Sequence, residues 1–146
     1  MDSKPNYSFS FCDRYQADLI NFCEAPALLY HNHTDSGICQ WLLVIKDHFT
    51  RFIYLRPING KFASQVAQEI DFYCSIVGYP IIFQTDDGSE FGREVMNALK
   101  KINPFMLSLR GKPRTPKHQG SVERGNSVIK RILCKMVHDA KEKLPK

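Results

Sequence analysis

A chain of 146 residues that is 43% hydrophobic, 24% charged and 12% aromatic has enough apolar material for one packed domain and too much for a disordered segment. Its longest apolar run, Trp41-Leu42-Leu43-Val44-Ile45, is far too short to cross a bilayer, and Met1-Asp2-Ser3-Lys4-Pro5 opens no apolar leader, so neither a membrane partner nor a signal peptide is expected. The net charge of +5 is concentrated: from Arg110 to Lys135 eight Lys/Arg accompany one acid, Glu123, a local +7 that leaves −2 elsewhere. That segment fits a polyanionic partner, most simply nucleic acid; on charge alone a solvated helix face is an equal reading.

Residues 1–13, rich in Pro, Ser and Asn, read as an N-terminal tether. Tyr15 to Phe22 (YQADLINF) reads as a buried strand with Asp18 in its middle, a costly place for a charge unless something compensates it. Residues 24–39, with Pro26, Asn32, Asp35 and Gly37, read as a loop. Residues 40–48 (QWLLVIKDH) and 51–58 (RFIYLRPI) are β-rich runs either side of Phe49-Thr50 and predict an antiparallel hairpin.

Residues 62–77 follow a helical period, with Phe62, Val66, Ile70, Tyr73 and Val77 on one face, Gly78 closing the helix and Pro80 after it. Residues 81–85 (IIFQT) predict a strand ending at Asp86-Asp87-Gly88, and Ser89 caps a helix to about Lys101, broken by Asn103-Pro104. A short strand over 105–109 (FMLSL) precedes a basic loop, 110–120, twice interrupted by Pro. A long helix is predicted from about Ser121 to Lys141, with 142–146 as a tail. This order predicts one domain over 14–141: a mixed sheet with helices on both faces.

The cysteines, Cys12, Cys23, Cys39, Cys74 and Cys134, are odd in number and form no CxxC, so they read as reduced thiols, mostly core filler, in an intracellular protein. His31 and His33, with Cys23 and Cys39 flanking, match no standard zinc spacing and lie in a turn-like HNHTDSG stretch.

Three acids stand out by position: Asp18 inside a strand, Asp86 at the carboxyl end of another, and Glu123 in the first turn of a helix. Sites in open α/β sheets lie beyond the carboxyl ends of strands. Converging carboxylates repel and raise one another's pKa, and a hard divalent cation, Mg²⁺ or Mn²⁺, removes that conflict. Each acid also has an ordinary reading. Asp86-Asp87-Gly88 makes a turn, Glu123 complements a helix dipole, and Asp18 is a hydrogen-bonded strand residue.

These residues carry a resemblance. YQADLI, WLLVIKDHFTRFIYLRPI, QTDDGSEF and TPKHQGSVERGNSVIKRIL resemble, in order, the first-aspartate strand, the following hairpin, the TDNGxxF segment and the QGxVExxN helix start of retroviral and retrotransposon integrase catalytic cores. Thirty-six residues separate Asp86 from Glu123, and the likeness runs from about Tyr15 to about Val137. It implies a DDE transposase/integrase core with an RNase H-like fold: a five-stranded mixed β-sheet with helices on both faces.

The likeness also implies Asp18, Asp86 and Glu123 as catalytic residues and metal ligands. Asp47 is the rival for the first position, but similar chains carry an Asp there outside the triad. Two Mg²⁺ (or Mn²⁺) ions would clamp the attacking and leaving oxygens of a phosphoryl transfer, with water giving 3′-end nicking and a 3′-hydroxyl giving strand transfer. Lys112, Arg114, Lys117, His118, Gln119, Arg124, Asn126, Lys130 and Arg131 would bind DNA, and Gly120 would let the loop pivot into the helix.

Glu123, Asn126, Ser127 and Lys130 share one helix face by spacing, while Val122, Ile129, Ile132, Leu133, Met136 and Val137 line other directions, towards the sheet or a partner subunit. The resemblance further implies a homodimer or higher homo-oligomer and a nuclear location. Asp87 in place of Asn, Lys117-His118 in place of smaller residues, and Ser127 in place of a DNA-binding Lys depart from the pattern. These bear on DNA-end recognition more than on chemistry. The competing readings are a domesticated DNA-binding or protein-interaction module with little catalysis, and an RNase H-like nuclease acting on RNA–DNA hybrids, against which the QGSVERGN helix start argues.

Overall fold

The computed structural model describes residues 10–22, 40–85, 90–110 and 116–143. Ser10–Asp13 form a turn in which the Asp13 carboxylate accepts from the Ser10 N–H and hydroxyl. The turn leads into β1 (Arg14–Asn21), which is followed by β2 (Trp41–Asp47), β3 (Ile53–Ile58), α1 (Ala63–Val77), β4 (Ile82–Thr85), α2 (Glu90–Ile102), β5 (Leu107–Arg110) and α3 (Pro116–Lys143). The strands hydrogen-bond in the order β3-β2-β1-β4-β5. β1 and β2, and β2 and β3, pair antiparallel; β4 is parallel to both β1 and β5. The expected mixed α/β architecture is present.

The alternation in β1 builds two different faces, because successive side chains point to opposite sides of a strand. Tyr15 and Ala17 of β1 join Leu43 and Ile45 of β2 and Phe83 of β4 under α1 and α2, which contribute Val66, Ile70, Tyr73, Val95 and Leu99. The tilted Tyr15–Tyr73 and Tyr54–Tyr73 ring pairs, with centroids 5.5 and 4.6 Å apart, extend this core. On the other face Ile20, Phe22, Leu42 and Val44 meet Ile129 of α3, with Leu55 and Leu133 at the margin. Helices thus cover both faces, α1 and α2 on one and α3 on the other.

α1 ends where Gly78, at φ 124°, adopts a backbone that a side chain disfavours and donates its N–H to the Cys74 carbonyl. Val66, Ile70 and Tyr73 form the buried face as expected, but Phe62 does not belong to it. It sits at the N-cap in an extended conformation and is 70% exposed.

A larger correction concerns α3. It begins at Pro116 rather than near Ser121. The Pro that reads as a breaker occupies the first helical position, where its missing N–H and fixed φ are no handicap. Gly120 therefore lies inside the helix and is not a pivot into it.

Cys74 is buried and Cys12 half-buried, but Cys134 is exposed on α3, so it is not core filler. Burial pushes the Cys74 thiol up to about 12. Cys23, Cys39, His31 and His33 lie outside the described residues. Among the described residues no helix is long and apolar enough to cross a membrane.

Candidate active site

Asp18 faces α3. Its neighbour across the β1–β2 ladder is Val44, which belongs to the α3-side cluster together with Ile20, two residues along β1. One carboxylate oxygen, Oδ1, accepts the Leu19 backbone N–H at 2.8 Å. The other, Oδ2, accepts Nδ2 of Asn126 at 2.6 Å, a bond between residues 108 positions apart. Charge-assisted bonds of this length contribute more than neutral ones. This one ties α3 to β1 one turn after Glu123, because Glu123 and Asn126 are three residues apart on one helix.

The parallel register completes the placement. Ala17 pairs with Thr85, the last residue of β4, so the strand end that Asp86 follows in sequence lies beside Asp18's neighbour in β1. Asp86 and Asp87 lie outside the described residues, and of Glu123 the structure describes the backbone alone. Glu123 is the eighth residue of α3 rather than part of its first turn. Ending the macrodipole's reach within one turn leaves that ordinary reading of Glu123 without support.

Asp47, the rival, is a structural residue. It pairs with Tyr15, on the strand's opposite face from Asp18, and is fully buried. Its Oδ2 accepts the N–H and the hydroxyl of Thr50, holding the turn between β2 and β3, in which Arg51 takes a positive φ of 65°.

The expected DNA-contacting residues separate into four groups. Lys112 and Arg114 lie outside the described residues, and Lys117, His118 and Gln119 lie in the first turns of α3 by backbone position. Arg124, Lys130 and Arg131 are exposed on α3, and the Lys130 ammonium stands 5.7 Å from the Phe22 ring centroid. Asn126 is half-buried with its amide on Asp18. Of the apolar α3 residues, Ile129 and Leu133 reach the sheet, but Ile132 and Met136 are 52% and 62% exposed.

Two features escape sequence reasoning. A cavity of about 250 Å³ lies on the α1/α2 side, lined by Trp41, Leu43, Val66, Ile70 and Val95 and reaching Lys61, Thr85 and Asp18. The Lys61 ammonium lies 5.4 Å from the Trp41 ring centroid. On the α3 side, beyond Asp18, the same alternation sets Gln16 beside Lys46, and Gln16 Oε1 meets His48 Nε2 at 3.2 Å. Burial, then Arg14, Arg51 and Lys46, lowers the His48 imidazole to about 4. Burial and Arg51 likewise lower Lys46. The period-two polar positions of both strands are the signal for this stripe.

The donor set at Asp18 suits a hard cation. The described donors on its two oxygens are neutral N–H groups, which orient the carboxylate without neutralising it. Among the described residues no three His, Cys, Asp or Glu gather, with Asp86 and the Glu123 side chain outside that set.

No protein-family model matches the chain. It is 29% identical to human KRAB-A domain-containing protein 2 over 80% of its own length, and 30% identical to the simian foamy virus type 1 Pro-Pol polyprotein over 66%. It spans 23% and 8% of those two proteins. Among solved structures it is similar to the simian T-cell lymphotropic virus intasome in complex with PP2A regulatory subunit B56 gamma, at TM-score 0.66, 22% identity, and 92% and 44% coverage of the two chains. The HTLV-2 integrase catalytic core domain in complex with magnesium, in its trimeric form, gives TM-score 0.61, 19% identity, and 95% and 80% coverage. The catalytic core domain of BIV integrase gives 0.58 at 21% identity, covering 88% of this chain and 73% of that one. The chain has the fold of the retroviral integrase catalytic cores.

Proposed function

We propose that the chain is the catalytic core of a polynucleotidyl transferase that nicks DNA 3′ ends and joins them to target DNA, with Asp18, Asp86 and Glu123 as catalytic residues and metal ligands. The observation that carries the reading is the Asn126–Asp18 bond, which docks α3 on β1 one turn from Glu123. The Ala17–Thr85 register supports it from the β4 side. Mg²⁺ or Mn²⁺ held by the three carboxylates, two ions in the active complex, would supply Lewis-acid stabilisation of the attacking and leaving oxygens.

The chain's own residues bind and orient. Lys112, Arg114, Lys117, His118, Gln119, Arg124, Asn126, Lys130 and Arg131 line the DNA, chiefly through phosphates, so binding falls with salt. β1 and α3 hold Asp18 and Glu123 on elements packed through Ile20, Phe22 and Ile129, which keeps their separation fixed as DNA enters. The carboxylates repel phosphate oxygens unless a cation intervenes, so productive binding depends on the metal. The active form is a homo-oligomer working in the nucleus; exposed Phe72, Ile76, Phe105, Ile132 and Met136 offer apolar surface for self-association.

The test is Mg²⁺- or Mn²⁺-dependent nicking and strand transfer on labelled DNA, comparing wild type with Asp86→Asn and Glu123→Gln. Loss of product in both variants, with DNA binding retained, is expected. Equal products from all three proteins would sink the catalytic reading. Equal absence of product with firm DNA binding would favour a binding module instead.

A further inference from the structure

We infer that the cavity on the α1/α2 side is a binding site for a small carboxylate with a compact apolar body, the body between the sheet and the two helices and the carboxylate on Lys61. The site needs neither metal nor DNA and stands apart from the catalytic reading. Its floor is apolar: Leu43 of β2, Val66 and Ile70 of α1 and Val95 of α2 line it, each no more than 2% exposed. Protein interiors leave few voids larger than a water molecule, so a space of about 250 Å³ among such residues is a departure from ordinary packing. Water held there would need about two to four polar partners, and these four side chains offer none. Apolar cavities of about 150 Å³ stay dry and take up benzene, whereas drug-sized ligands occupy about 300–1,000 Å³. The occupant that fits is one ring or one branched chain.

The mouth supplies the charge. Lys61 is exposed and Trp41 half-buried, with the ammonium 5.4 Å from the ring centroid. The turn before α1 sets that placement. Phe62 is extended, so it and Lys61 point opposite ways. The Phe62 ring folds over Gly60, where an added Cβ would lie 2.6 Å from it, and Lys61 is turned towards Trp41 and the cavity. Asp18 is the other charged residue at the cavity, but its two carboxylate oxygens accept from the Leu19 N–H and the Asn126 amide. A cationic ligand would be repelled by Lys61. A phosphate ester carries more charge than one ammonium balances. A single carboxylate on a compact apolar body matches both the mouth and the floor.

Trp41 is the single tryptophan of the chain, so its emission reports on the mouth directly. The experiment titrates para-tert-butylbenzoate, and its uncharged isostere para-tert-butylbenzamide, into the full chain without metal or DNA. Trp41 emission is followed, with thermal melting alongside. The proteins are wild type, Lys61→Met and Val95→Phe, the last of which fills the floor. In wild type the benzoate is expected to saturate below about 1 mM and to raise the melting temperature. The benzamide should bind about 10-fold more weakly, the share of one charge-assisted contact at an exposed group. Lys61→Met should bring the benzoate to the affinity of the benzamide and leave the benzamide unchanged. Val95→Phe should abolish binding of both; if it fails to fold, the Lys61→Met comparison, made at an exposed position, decides. No saturable response in wild type would overturn the site. Equal affinities for the two probes would overturn the carboxylate assignment. Binding that survives in folded Val95→Phe would put the probe on the outer surface and overturn the cavity as its seat. Each of these failures leaves the catalytic reading standing, because none involves nicking or strand transfer.

Discussion

The two faces of the sheet are built from the same strands and do different work. On the α1/α2 side the alternate positions of β1 and β2 feed the broader core, which includes Tyr15, Leu43, Ile45 and Phe83. On the α3 side the apolar cluster is small, Ile20, Phe22, Leu42, Val44 and Ile129, and the face also carries Asp18, Gln16, Lys46 and His48. The first face therefore stabilises the fold, and the second trades apolar burial for groups that orient, titrate and carry charge. Burying one large apolar side chain contributes about 1.5–3 kcal/mol, so each polar position on the α3 side forgoes a contribution of that size.

The largest effect should come from the α1/α2 face. Phe83 is fully buried in the centre of β4. Phe83→Ala is expected to destabilise by about 3–5 kcal/mol in denaturant titration, enough to unfold a marginal domain. Ile129→Ala, on the smaller cluster where the side chain retains 9% exposure, should cost about 2 kcal/mol, the lower end for such truncations. Equal losses would break the comparison, since α3 would then sit on a core as demanding as the one under α1 and α2.

His48 sharpens it on a different axis. Its folded value of about 4, set mainly by burial and then by Arg14, Arg51 and Lys46, lies below the ordinary 6.5. The unfolded chain therefore binds the proton first as pH falls. The His48 contribution to stability is intact above about pH 6.5, declines between about 6.5 and 4, and is lost in full below that window. Allowing for solvent screening of a half-buried group, the loss is about 1–2 kcal/mol. Melting curves from pH 8 to 4 should show this slope in wild type and a flatter one in His48→Gln. An unchanged slope would place the acid sensitivity elsewhere.

Much of the fold was legible because its signals are local. YQADLINF declares both strand and alternation, and Val66, Ile70 and Tyr73 declare the α1 face. The errors arose where one residue type serves two ends. Pro116 reads as a breaker yet starts a helix, and Phe62 follows the helical period yet caps it in the extended conformation. Ile132 and Met136 look like core, but a helix lying on a sheet buries only a stripe, and Ile129 and Leu133 take it. At the site, Asp18, Asp86 and Glu123 were singled out by their places in strands and motifs, and of the three the structure describes the side chain of Asp18 alone. The Asn126–Asp18 bond was beyond reach, because it depends on how α3 crosses β1 108 residues earlier in the chain.

The smallest stability effect should be the most telling for function. Lys130 is exposed, and its ammonium rests 5.7 Å from the ring centroid of Phe22, the buried end of the α3-side cluster. An exposed cation–π contact of this kind contributes about 0.5 kcal/mol, so Lys130→Gln should scarcely move the melting temperature. If the polar face exists to hold DNA, the same substitution should weaken binding across unrelated sequences. It should also reduce the slope of log affinity against log salt by about 0.9, the share of one phosphate contact on a duplex. Fluorescence anisotropy over a salt series measures both. A stability loss without a change in slope would make Lys130 a lid on Phe22 and assign it to the fold; a change in slope without a stability loss would assign it to the partner. Only the second result is consistent with a sheet whose two faces divide structure from chemistry.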